Sequence, residues 1–157
     1  MSRIYARANQ KGGVGKTTTA VNLAVAWAAR GKKTLLLDMD PQGNATSSLG
    51  ISKDKVAASS YDVLLGNVTI AKATLVNSRL NLSIIPSAPG LAAAEIELVG
   101  ELAREYRLRQ ALAADAERFD YVLIDCPPSL GLLTVNALTA ATGVLIPVQC
   151  EYLALEG

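Results

Sequence analysis

The chain has 157 residues, half of them apolar and 18% charged, with a formal net charge of +1 and no histidine. That is one domain's worth of chain with ample core material, which excludes disorder. It also excludes an overall basic signal for nucleic acid, though a local patch stays open. The missing histidines exclude a histidine-based zinc site or catalytic triad, and no apolar run reaches the ~18 residues of a membrane span.

The N-terminus enters a strand directly, without a secretory leader, so a soluble cytoplasmic protein is expected. Residues 4–9 read as that strand. Arg7 interrupts it, and a charge in a central parallel strand must be paired or must reach the surface. Gln10-Lys11-Gly12-Gly13-Val14-Gly15-Lys16-Thr17-Thr18 follows, a glycine-rich turn ending in a lysine and hydroxyls. Residues 18–30 then carry Ala20, Val21, Leu23, Ala24 and Trp27 at helical spacing, with Gly31 as the stop. Trp27 is read as packing rather than as a ligand contact.

Strand, glycine turn and helix form the arrangement that holds phosphate. The turn's N–H groups point inward and the helix start adds partial positive charge. Glycines let the backbone approach the anion closely. Lys16 is placed to neutralise the β- and γ-phosphates, and the Thr17 hydroxyl to ligate Mg²⁺. The spacing departs from G-x-x-x-x-G-K-S/T, because Gln10 stands at the first glycine position and Lys11 opens the loop. A second lysine over-neutralises one triphosphate unless it has another purpose, such as reaching a different nucleotide across a dimer.

Residues 34–37 form a strand that ends in Asp38-Met39-Asp40-Pro41. This completes one βαβ crossover, so its two strands are expected to be parallel, with ligands beyond their carboxyl ends beside Asp38 and Asp40. Next come a polar loop (41–48), a short helix (61–65), a turn at Gly66-Asn67 and a strand (80–85). A helix over 91–98 places Ala92, Ile96 and Val99 on a shared face, and a charge-rich helix continues over 101–116. Residues 121–124 are an apolar run ending in Asp125-Cys126-Pro127-Pro128-Ser129. After a phosphate loop, this is the pattern of a strand delivering an acid to bound Mg²⁺. A helix (130–141) and a strand (143–148) follow. Cys126 and Cys150 are expected to be reduced, buried residues at strand ends.

The expected fold is α/β: a mostly parallel twisted sheet of four or five strands with helices on both faces, a P-loop NTPase. Residues 1–157 read as a single, incomplete P-loop ATPase domain, because doubly wound sheets usually continue past such a point. Its C-terminal part is expected to be missing.

Four ordered motifs resemble the ParA/Soj group of chromosome- and plasmid-partition ATPases, in the deviant Walker A class that also includes MinD. They are Lys11 to Thr18, Asp38-Met39-Asp40-Pro41-Gln42-Gly43-Asn44, Asp125-Cys126-Pro127-Pro128-Ser129, and Ile146-Pro147-Val148-Gln149-Cys150-Glu151-Tyr152. The resemblance covers essentially the whole chain. It implies that Lys11 is the signature lysine reaching the partner subunit's nucleotide, and that Gly12 allows two subunits to approach. Gly13, Val14, Gly15 and Lys16 match the phosphate cradle, Thr17 the Mg²⁺ ligand and Thr18 the α-phosphate contact. Asp40 matches the acid that orients the attacking water, while Asp38 and Asp125 match acids that hold Mg²⁺, largely through waters. Lys11, Lys16 and Asp40 are thus the expected catalytic set, with ATP and Mg²⁺ as cofactors. The resemblance further implies an ATP-dependent homodimer, non-specific DNA binding by that dimer, nucleoid association when ATP is bound, and a ParB-like centromere-binding partner.

Two positions depart from the pattern: Arg7 replaces an apolar residue, and Thr142-Gly143 stands where an acid is common. The expected adenine-contacting and basic DNA-binding segments lie beyond Gly157. Four rivals remain: an orphan ParA-like ATPase that positions a protein cargo, a MinD-like membrane-surface regulator, an iron–sulfur relative and an inactive binding module. The third needs suitably placed cysteine ligands, and Cys126 and Cys150 stand far apart.

Overall fold

The computed structural model describes residues 1–8 and 16–148, and of Lys16 and Thr17 the backbone alone. Strand β1 (Arg3–Arg7) is followed by α1 (Lys16–Ala29), β2 (Thr34–Asp38), α2 (Asn44–Ser48), α3 (Ser60–Leu65), α4 (Ile70–Ala73), β3 (Leu75–Asn77) and β4 (Leu82–Ile85). Helix α5 (Leu91–Glu97), α6 (Arg107–Ala113), β5 (Tyr121–Asp125), α7 (Leu132–Ala140) and β6 (Gly143–Leu145) complete the described chain. The six strands form one sheet in the order β3-β4-β2-β5-β1-β6. All pairings are parallel except β3 with β4.

Helices cover both faces, so the central strands can be apolar throughout. Leu35, Leu36 and Leu37 of β2 and Val122, Leu123 and Ile124 of β5 are fully buried. Strand alternation sorts them into two layers. Leu35, Leu37, Val122 and Ile124 join the larger cluster, built with α3 to α7, whereas Leu36 and Leu123 join Ala20, Ala24 and Ala28 of α1 and Ala45 of α2. Alanines along α1 keep that helix close to the sheet. Helix α1 carries the chain past β5 to β2 on one face, and α7 carries it past β1 to β6 on the other. Opposite directions on opposite faces are what right-handed crossovers require.

The expected elements are present, with local corrections. The helix expected over 101–116 is broken. Ala103 adopts a left-handed conformation (φ 53°), a 3₁₀ turn spans Arg104–Tyr106, and a second spans Ala116–Arg118 after α6. Buried Asn136 of α7 sets this shape, because its side-chain oxygen accepts from Leu108 N (3.1 Å) and its amide donates to Arg104 O (2.9 Å). Ala92, Ile96 and Val99 are exposed, and the inward residues of that segment are Leu91, Ala94 and Leu98. The polar loop over 41–48 contains α2. Strand β3 escaped notice because Leu75 and Val76, on this edge hairpin, lie exposed and show no alternation.

Trp27 stacks on Tyr121, with ring centroids 4.4 Å apart, which agrees with a packing role. Thr142-Gly143 also has a structural account. The Thr142 hydroxyl accepts from Ile4 N and donates to Ile4 O, each at 3.0 Å. Gly143 lies opposite Tyr5, and a Cβ there would come within 2.9 Å of the tyrosine ring. Strand β6 is shorter than the expected 143–148, and Gln149 to Gly157, with Cys150, lie outside the described residues.

Candidate functional site

The register of three adjacent strands puts Asp38, Asp125 and Arg7 side by side at the carboxyl end of the sheet. Asp38 pairs with Asp125 across β2 and β5, and Asp125 pairs with Arg7 across β5 and β1. By alternation they project on the same face as Leu36, Leu123 and Tyr5, towards α1 and α2. All three are completely buried. The sequence placed both aspartates here. It left Arg7 unexplained, and the structure answers that it is a buried charge beside a carboxylate. Burial pulls the Arg7 pKa below its ordinary value, while the nearby Asp125 and Cys126 hold it up. Cys126 is buried, as expected.

Asp38 is also a scaffold for the loop that follows it. Its Oδ1 accepts from Asp40 N (3.1 Å), and its Oδ2 accepts from Thr46 N (2.9 Å) and from the Thr46 hydroxyl (2.6 Å). Burial pushes its pKa up to about 6, the Thr46 hydrogen bonds pull the other way, and Asp125 adds to the rise. Ser87, just beyond β4, closes the network. Its N–H donates to Thr46 Oγ1 (2.9 Å) and its hydroxyl donates to Asp40 O (2.6 Å). Ser60 donates its hydroxyl to Asp38 O (2.7 Å).

Asp40 is buried beside this network, and its Oδ1 accepts from Gln42 N (3.0 Å) in a local Asx turn. Thr46, Ser60 and Ser87 are therefore the residues that sequence reasoning missed. Their hydroxyls sit in stretches with no motif, and only the fold brings them together.

Lys16 and Thr17 open α1, and Thr18 is exposed on its first turn. Lys11, Gly12, Gly13, Val14 and Gly15 lie outside the described residues. The chain enters that loop from the carboxyl end of β1 and leaves it into α1, which packs over the face that carries Asp38 and Asp125.

Two buried carboxylates on neighbouring strands repel each other, so the pair favours a cation. Among the described residues, no group of three or more His, Cys, Asp or Glu side chains is placed to cage a metal. That donor set fits a hard ion such as Mg²⁺, which keeps much of its water and takes few carboxylates.

Comparison with known proteins shows the family. The profile of a family described as an AAA domain (AAA_31) matches residues 2–157. The chain is 58% identical to the sporulation initiation inhibitor protein Soj of Bacillus subtilis, covering 100% of this chain and 62% of that one. It is 54% identical to the chromosome partitioning protein ParA of Myxococcus xanthus, covering 100% and 56%. A solved structure described as cobyrinic acid a,c-diamide synthase of Mycobacterium smegmatis, with bound ATP analogue and magnesium, superposes with a TM-score of 0.93 at 47% identity. It covers 98% of this chain and 63% of that one. The chain thus spans about 60% of the length of the curated relatives it matches. With one six-stranded, mostly parallel sheet and this family match over nearly its whole length, the chain belongs to the AAA domain family, in its ParA/Soj branch.

Proposed function

We propose that this chain binds ATP with Mg²⁺ and hydrolyses it as the engine of a partition protein, an ATP-dependent dimerisation switch in chromosome or plasmid segregation. The observation that carries this reading is the buried Asp38–Asp125 pair, in register at the carboxyl end of the sheet and facing the helix that opens with Lys16 and Thr17. The names of the relatives supply the biological setting.

In this reading the backbone of Gly13 to Lys16 cradles the phosphates and Lys16 neutralises them. Thr17, Asp38 and Asp125 would hold Mg²⁺, the aspartates largely through waters, and Thr18 contacts the α-phosphate. Mg²⁺ supplies charge neutralisation at the phosphate oxygens when bound. Asp40, held by the Gln42 turn, orients the attacking water for in-line displacement. Positioning and electrostatics do most of the work in such a reaction. Lys11 reaches a second subunit's nucleotide and Gly12 permits the close approach. The implied partners are a ParB-like protein, which stimulates turnover, and non-specific DNA, which the ATP-bound dimer holds at the nucleoid.

Calorimetry with a non-hydrolysable ATP analogue and Mg²⁺ tests the foundation. Lys16→Ala is expected to abolish binding, and unchanged affinity refutes the assignment. A chain that binds and turns over ATP without response to a ParB-like protein and DNA belongs instead to the cargo-positioning alternative.

A further inference from the structure

We propose that Arg7 is a resident counter-charge for the strand-end carboxylates, which holds Asp125 in place in the nucleotide-free protein and weakens the site's grip on the divalent cation. The inference rests on the preceding reading of Asp38 and Asp125 as the cation's acids, and it concerns a residue to which that reading gives no part.

Arg7 is fully buried at the last position of β1, directly opposite Asp125. The two segments stay coupled just beyond the strands, where Cys126 N donates to Arg7 O (3.2 Å). Neighbouring strands lie roughly 4.8 Å apart, so side chains paired on one face are immediate neighbours. A guanidinium keeps its charge at all ordinary pH values, and burying it is costly unless an anion offsets it. Among the described residues, Asp125 and Cys126 both act to keep Arg7 charged against its burial.

The carboxylates have the complementary problem. Asp38 and Asp125 are both buried and adjacent, with only one strand boundary between them. Asp38 is served by three donors from its own loop, whereas Asp125 has Arg7 as its opposite charge across the register. A cation arriving at Asp125 must then share that carboxylate with the arginine. A neighbouring unit charge typically changes the charging equilibrium of a carboxylate by one to three powers of ten, and sharing through water brings this to about tenfold.

The experiment compares wild type, Arg7→Met, Arg7→Lys, Asp125→Asn and the Arg7→Met/Asp125→Asn double variant. Thermal unfolding in EDTA without nucleotide is one readout. The Mg²⁺ concentration that half-saturates binding of a fluorescent ATP analogue is the other. Arg7→Met is expected to unfold at lower temperature in EDTA and to need about tenfold less Mg²⁺, while Arg7→Lys keeps wild-type behaviour. Adding Asp125→Asn to Arg7→Met is expected to restore the unfolding temperature, because the repelling carboxylate is gone.

A folded Arg7→Met with a Mg²⁺ requirement within twofold of wild type overturns the proposal. Where Arg7→Met alone does not fold, failure of Asp125→Asn to restore a cooperative transition overturns it as well. A wild-type chain whose nucleotide binding ignores Mg²⁺ removes the underlying site reading and this inference with it. A wild type that responds, beside an unaltered Arg7→Met, removes only the role of the arginine.

Discussion

Thr46→Val removes one hydroxyl and little volume from the centre of the strand-end network. Two hydrogen bonds go with it: the 2.6 Å bond donated to Asp38 Oδ2 and the 2.9 Å bond accepted from Ser87 N. Hydrogen bonds to an ionised group contribute roughly 1.5–3 kcal/mol, and a buried N–H left unmade costs about 1–3 kcal/mol. Asp38 keeps its bonds from Thr46 N and Asp40 N, so the two losses overlap and the net cost is expected at about 3 kcal/mol. For a domain of this size that lowers Tm by roughly 6–12 °C. The assay is urea unfolding followed by the fluorescence of Trp27, the single tryptophan, which stacks on Tyr121. Thr46→Ser keeps the hydroxyl and should lose about 1 kcal/mol, the share of one missing methyl. If Thr46→Val costs no more than Thr46→Ser, the hydroxyl does not bind the loop to the sheet and the scaffold role of Asp38 falls.

The raised Asp38 pKa, about 6 against 3.8, predicts a pH signature. Between those values the folded protein holds a proton that the unfolded chain has released, so this group's contribution falls as pH rises through the window. The two-unit shift is worth about 3 kcal/mol, and Asp38→Asn should gain that much on wild type between pH 4 and pH 7 in metal-free urea titrations. A stability difference that is flat with pH contradicts the assignment. Gly131→Ala puts a Cβ against Glu95 Oε1, which accepts from Leu133 N (3.1 Å) at the start of α7. Displacing that carboxylate should cost about 1–2 kcal/mol in denaturant unfolding. A neutral Gly131→Ala shows that Glu95 does not cap the helix.

Much of the site could be read from neighbouring residues. A glycine turn between a strand and a helix, and an apolar run ending in an acid, are written within a few positions of one another. Local turn chemistry and strand period were therefore enough to set Lys16 at a helix start, Asp38 and Asp125 at strand ends and Asp40 just beyond, and to name an α/β sheet. The tertiary structure decided what depends on register. Only the pairing of β1 with β5 turns Arg7 from an anomaly into a partner of Asp125, and only the approach of α2 to the end of β4 joins Thr46 to Ser87. Only Asn136, reaching across from α7, shows why the charge-rich stretch breaks near Ala103. Such contacts are made by residues distant in the chain, and strand order, which no local period encodes, selects them.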